Sequence, residues 1–215
     1  MSISFYVVSA ILGNFHVEST VNPGIYESLN RIPDADMTNN SVYGGYGLGQ
    51  WTNSAPLGLT RRTQLIQWLD SNGYSWTDGD AQLDYLLHEN YWHQNVGSYS
   101  TLTDFLLSDS TNINELTRIY MRNWEGINNS TLSTRQQWAN MFYDYIVEHY
   151  EDTSITTWYS DNSYLSEAKQ KNNAVLVARH LIGGITPPTP PIPPVPSVTD
   201  PLIMLFKRNR KKRFY

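Results

Sequence analysis

The stretch Gly13-Asn14-Phe15-His16-Val17-Glu18-Ser19-Thr20-Val21-Asn22-Pro23 decides how this chain folds. Apolar residues at Val8, Ile11, Leu12 and Phe15 lead into it at helical spacing. The residue before a proline is pushed out of the α region, so a helix from about Ser4 should finish near Thr20 or Val21. Glu18 continues the apolar line, one turn beyond Phe15 and two beyond Ile11. Its carboxylate is therefore predicted to leave the helix on the buried side, at the negative end of the helix dipole. Desolvation and the dipole both disfavour the ionised form. A carboxyl kept protonated near neutral pH is what glycosidic bond cleavage requires of its proton donor. On spacing alone, Glu18 also fits an ordinary helix-end residue reaching solvent.

Working outward, Asn22 to Val42 is rich in Asn, Asp and Pro and reads as turns or a short hairpin. The run Gly44-Gly45-Tyr46-Gly47-Leu48-Gly49-Gln50-Trp51 suits neither a helix nor a long strand, only a tight element with exposed backbone. Amphipathic segments then follow in quick succession. Helices are expected over 60–69, with Thr60 as N-cap and Gly73 beyond the end, and from Asp80 to His88. Others are expected at 101–108, 112–124, 131–150 and 163–182. With at most one small β element at about 40–52, the chain reads as α+β, mainly α.

The 215 residues include no cysteine, which removes disulfides, thiolate nucleophiles and thiolate zinc sites. His88 and His93 are five apart, wrong for one helical face, and no metal ligand set or cofactor motif is expected. No stretch approaches the ~18 apolar residues of a membrane span. Met1 to Leu12 lacks a basic leader and reads as the first helix rather than a signal peptide. Seven Trp and fifteen Tyr are many for this length, and aromatic rings line sugar clefts as well as cores.

The net charge of −5 hides an asymmetry. Residues 207–215 carry six of the fifteen basic groups, and the other 206 residues hold nine basic and twenty acidic ones. An acidic body argues against nucleic-acid binding by the folded part and against unaided attraction to an anionic cell wall. Residues 186–201 are proline-rich and would form a stiff spacer of roughly 45 Å. Residues 202–215, apolar then basic, fit a docking peptide or an untethered tail equally.

Taken together, Glu18-Ser19 and Gly47-Leu48-Gly49-Gln50-Trp51 resemble the lysozyme-like peptidoglycan-cleaving superfamily. More narrowly, Ile11 to Gly24 and Gly45 to Thr52 resemble the lysozyme domain of bacteriophage tail lysins. There an Ile/Met-Leu-Gly-Asn helix leads to Glu-Ser-x-x-Asn-Pro-Gly and then Gly-x-Gly-Leu-x-Gln-Trp-Thr. Arg61-Arg62, Asp80-x-Gln82-Leu83-x-Tyr85-Leu86 and Tyr120 to Gly126 fit the same pattern over about residues 8–150. Where the family has an aromatic-Glu-Arg-Pro run, this chain has Trp124-Glu125 followed by Gly126-Ile127.

The resemblance implies a lysozyme-like catalytic domain over 1–150 that cuts the β-1,4 bond between N-acetylmuramic acid and N-acetylglucosamine. Glu18 would protonate the glycosidic oxygen, with Ser19, Tyr46, Gln50, Trp51 and Trp124 around the sugar. Candidates for the second carboxylate are Asp34, Asp36, Glu27 and Glu125. Lytic transglycosylases of the same superfamily work with a single Glu, so hydrolysis and transglycosylation both stay open. Residues 164–174 resemble a helix that precedes this domain in phage lysins. Here it follows, so 151–185 reads as an accessory helix able to pack beside helix one, with Ala174 and Leu181 buried. The expected partners are bacterial peptidoglycan and, through the tail, other phage tail proteins. The setting implied is the virion, with local wall opening for genome entry. A free endolysin and a non-catalytic tail component remain the alternatives.

Overall fold

A computed structural model describes residues 3–183 of the chain. The proline-rich spacer and the apolar-basic tail lie outside the described residues.

Helix α1 (Phe5–Ser19) is the axis of the molecule. The Ser4 hydroxyl accepts from the Val7 N–H at 3.3 Å and starts it. Every residue from Val7 to Phe15 is buried, so this helix has no wet face. It ends at Ser19, and Thr20 and Val21 both take left-handed backbone angles (φ 54° and 56°). A β-branched residue rarely adopts that region, so the turn after Glu18 must be held by its surroundings.

A three-stranded antiparallel sheet follows, with β1 (Gly44–Tyr46), β2 (Trp51–Ser54) and β3 (Leu59–Thr60) in that order. Gly45 faces Thr52, and Asn53 faces both Gly44 and Thr60. The sheet therefore runs on to residue 60, beyond the expected 40–52. Thr60 stands before helix α2 (Arg61–Ser71), but its side chain makes no capping bond because it is already the last residue of β3. Helix α3 (Gly79–Glu89) is started by Asp78, whose carboxylate accepts from the Ala81 N–H at 3.1 Å. Helix α4 (Leu102–Leu106) has a reciprocal capping box between Thr101 and Asp104. Helices α5 (Ile113–Asn123), α6 (Leu132–His149) and α7 (Glu167–Ile182) complete the bundle. Among the described residues the fold is thus mainly helical with one small sheet, and no helix is long and apolar enough to cross a membrane.

Two close approaches set the position of the site. At Gly13 a Cβ would fall 2.3 Å from the Arg135 carbonyl oxygen and 2.7 Å from the Ala139 Cβ, so α1 and α6 cross nearly backbone to backbone. Gly13→Ala would gain about 1 kcal/mol of helix propensity. Forcing the two helices apart costs about 1–3 kcal/mol or more, because backbone cannot swing aside. The expected outcome is net destabilisation by denaturant unfolding; a variant as stable as the parent would show that the crossing is loose.

Helix α7 lies against α1 and α6, with Ala174 and Leu181 buried. The Asn173 amide donates to the Val21 carbonyl at 2.8 Å, and the Leu165 N–H donates to Thr20 Oγ1 at 3.0 Å. The Asn22 amide reaches the carbonyls of Asp161 and Ser163 at 2.6 and 2.7 Å. At its far end His180 Nε2 and Asp84 Oδ1 are 2.8 Å apart, tying α7 to α3.

Candidate active site

Glu18 sits in the last turn of α1 with its side chain 21% exposed. Arg135, from the first turns of α6, meets it. The guanidinium is 1% exposed and its Nη2 donates to Glu18 Oε1. Its Nη1 donates to Asn14 Oδ1 at 2.9 Å, and its Nε to Thr131 Oγ1 at 3.1 Å. The same Nη1 lies 3.9 Å from Glu125 Oε1. One buried cation therefore stands between two carboxyl groups. Nothing in the sequence pattern marked Arg135, which lies 117 positions after Glu18.

Glu125 is brought to this centre by the turn that follows α5. Its carboxyl is almost enclosed, with a side chain 7% exposed, and Oε1 has no hydrogen-bond partner. Burial, and then the nearby Glu18, push its pKa well above the usual carboxylate range, against the pull of Arg135 and Arg61. Of the two carboxyl groups, Glu125 is the enclosed one. Glu18 keeps an opening to solvent because its helix ends there.

A proton held more tightly in the folded state than in the unfolded one stabilises the fold below the unfolded pKa. That contribution is lost as pH rises toward the folded value. Glu125→Gln removes the titrating group while keeping its shape. The melting temperature of the variant, relative to the parent, should rise steadily from acid toward alkaline pH. Parallel melting curves across pH would show that Glu125 does not titrate there.

Beyond Glu125 the network continues. Arg61 donates to Glu89 Oε1 at 2.8 Å, and Trp51 Nε1 donates to the same oxygen at 2.8 Å. The Arg61 guanidinium lies 4.1 Å from the ring centre of Tyr91 and 4.4 Å from that of Trp124. Helices α2 and α3 are joined to the site through these charges.

The two motifs of the sequence touch directly. The Ser19 hydroxyl donates to the Leu48 carbonyl at 2.7 Å, while the Leu48 N–H donates to Gln82 Oε1 at 2.9 Å. The Gln82 amide reaches the Pro23 carbonyl at 2.8 Å. Gly47 has φ 79°, and a Cβ there would meet Gln82 Oε1 at 2.5 Å, so only glycine fits. The Glu-Ser end of α1 and the glycine turn are therefore one hydrogen-bonded unit.

The residues expected around the sugar are placed as follows. Ser19 is 1% exposed, and its hydroxyl ties the end of α1 to Leu48. Tyr46, Trp51 and Trp124, expected around the sugar, are 2%, 0% and 0% exposed and lie in the core. Trp124 stacks on Tyr120 with ring centres 5.2 Å apart and lies at right angles to Trp51 at 5.7 Å. Tyr46 meets the ring of Tyr26, Trp51 that of Tyr85, and Trp124 that of Phe15 on α1. The Gln50 amide donates to the Ile25 and Gly47 carbonyls at 3.2 and 3.1 Å, leaving its buried Oε1 without a partner.

Among the carboxylate candidates, Asp34 pairs with Arg31 at the exposed surface. Asp36 accepts from the Asn39 amide at 3.4 Å. Both belong to a loop built around Arg62, which is fully buried and donates to the carbonyls of Asp36, Met37, Asn39, Val42 and Gly44. Glu27 accepts from the Gly45 N–H at 2.8 Å and the Tyr43 hydroxyl at 2.9 Å. Glu125 is the candidate that the fold places with Glu18 and Arg135.

Two surface concavities are formed elsewhere. One of about 160 Å³ is lined by Glu27, Ser28, Asn30, Ile32, Tyr43 and Gly44. Another of about 430 Å³ is lined by Gln64, Gln67, Trp68, Tyr85, His88 and Glu89. Neither has Glu18 in its wall.

A helix-end Glu-Ser tied to a Gly-Leu-Gly-Gln turn, within a helical bundle carrying one small sheet, defines a lysozyme-like protein. Residues 3–146 match the family of phage tail lysozymes, more than half of the chain, and the chain belongs to that family. It is also similar to Morphogenesis protein 1 of Bacillus phage B103, 32% identical over 119 residues. That likeness covers 55% of this chain and 28% of the longer relative.

Proposed function

We propose that this chain is a muramidase of the phage particle. It would cut the β-1,4 bond between N-acetylmuramic acid and N-acetylglucosamine, opening the host wall locally as the genome enters. The observation that carries this reading is Glu18 at the end of α1, partly open to solvent, with one carboxylate oxygen held by the buried Arg135. Membership of the phage tail lysozyme family supports the substrate class. In the resting ion pair Glu18 is oriented by a guanidinium that is itself fixed by Asn14 and Thr131. A glycan strand laid over the exposed part removes water from the carboxyl. Glu18 then gives its proton to the glycosidic oxygen as that bond breaks.

A second reading is favoured by Glu125. The candidate carboxyl placed beside Glu18 is enclosed, with its pKa pushed up by burial and by Glu18, which suits it poorly to act as a nucleophile or to activate water. Glu18 working alone fits a lytic transglycosylase, in which the hydroxyl of the substrate attacks. Mass spectrometry of muropeptides from purified walls separates the readings. Reducing muramic ends mean hydrolysis, anhydro ends mean transglycosylation, and undigested walls mean a non-catalytic tail component.

A further inference from the structure

The 430 Å³ concavity on the α2–α3 face is not used by the chemistry above, yet it has the composition of a ligand site. Gln64, Gln67 and Trp68 share one face of α2 at i, i+3 and i+4, and Tyr85, His88 and Glu89 do the same on α3. Trp68 is half-buried and already fixed in place: its ring stacks on Tyr74 at 5.8 Å and lies 5.8 Å from His88 and 5.7 Å from Tyr85. A ring held this way loses little freedom when a ligand covers it. The two glutamines and His88 are exposed, placing two carboxamides and an imidazole around that ring. The volume falls in the ~300–1,000 Å³ range of small-molecule sites.

The charges decide what fits. No Lys or Arg lines the concavity, and its one acid, Glu89, is engaged by Arg61 and Trp51 from behind. An anionic wall polymer or a phosphate finds no cation there, and a cationic group finds no free carboxylate. What remains is a neutral ligand with one apolar face and a rim of hydroxyl and amide groups. We propose that this face binds an N-acetylated pyranose of the glycan strand, stacked on Trp68 and hydrogen-bonded by Gln64 and Gln67, as an anchoring site separate from Glu18. The proposal rests on the reading of the chain as a peptidoglycan enzyme. It also accounts for how a body with twenty acidic and nine basic groups before residue 207 stays on an anionic wall: the anchoring contact involves no net charge.

The test uses the full chain carrying Glu18→Gln, so that the wall is not digested during binding. Sedimentation with purified peptidoglycan sacculi measures retention. Titration with an N-acetylglucosamine trimer, followed by the NMR signal of the Trp68 indole N–H, measures the site itself. Expected are a shift of that signal on titration, about tenfold weaker retention for Trp68→Ala, and a similar loss for Gln64→Ala with Gln67→Ala, all insensitive to added salt. Because Trp68 also packs on the core, the double glutamine variant at exposed positions decides the matter if Trp68→Ala does not fold. Retention of the double variant within about twofold of its parent, an unmoved indole signal, or retention abolished by salt overturns the proposal. Wall clearing that survives Glu18→Gln would instead take Glu18 out of the chemistry, and the Trp68 indole signal on titration with the trimer, which needs no intact wall, would still decide this site.

Discussion

Glu18→Gln is expected to give a folded protein that no longer clears bacterial walls, with turnover lower by about 10²–10⁴-fold. The substitution keeps the shape of the side chain and leaves an oxygen for Arg135 to donate to, so the fold around α1 should persist. What it removes is the transferable proton. Zymography on purified walls, paired with circular dichroism, reads both effects. A glutamine variant that clears walls at close to the parent rate would take Glu18 out of the chemistry.

Arg135→Met should have the largest effect on stability. The guanidinium is 1% exposed and serves Glu18, Asn14 and Thr131 together, with Glu125 close by. Methionine fills most of the volume but leaves the Asn14 oxygen and the Glu18 carboxylate without their cation. Removing one partner of a buried pair costs about 3–5 kcal/mol, because the remaining charge stays desolvated. At about 2–4 °C per kcal/mol, the melting temperature should fall by roughly 10 °C. Arg135→Lys should recover only part of this, since one ammonium cannot span the same acceptors. A loss below about 1 kcal/mol in denaturant unfolding would mean that the pair is solvated and contributes little.

The helices were readable because apolar spacing is a local property. Helices α1 to α7 begin and end within a few residues of the expected ranges, from about Ser4 to Thr20, 60–69, Asp80 to His88, 101–108, 112–124, 131–150 and 163–182. The site was readable only at its motifs. Glu18 was marked by its spacing from Phe15 and by its neighbour Ser19, but what Ser19 does was not, since its partner Leu48 is 29 positions away. Arg62 and Arg135 read as polar helix residues, yet both are buried, because distant carbonyls and carboxylates converge on them. Local pattern cannot foresee where those acceptors will come from. Aromatic residues are ambiguous for a different reason: the same ring suits a sugar cleft or a core, and only the fold shows that Tyr46, Trp51 and Trp124 are buried.

The left-handed pair Thr20–Val21 has a practical outcome for anyone trimming this protein. A fragment stopped at residue 146, where the family likeness ends, would still contain Glu18 and Arg135. It would lack Asp161, Ser163, Leu165 and Asn173, which clasp residues 20–22. Backbone held in that region costs of order 1–3 kcal/mol per residue and relaxes when released. The last turn of α1 would then fray and let Glu18 wander, so the smallest fragment that keeps this site should extend through α7.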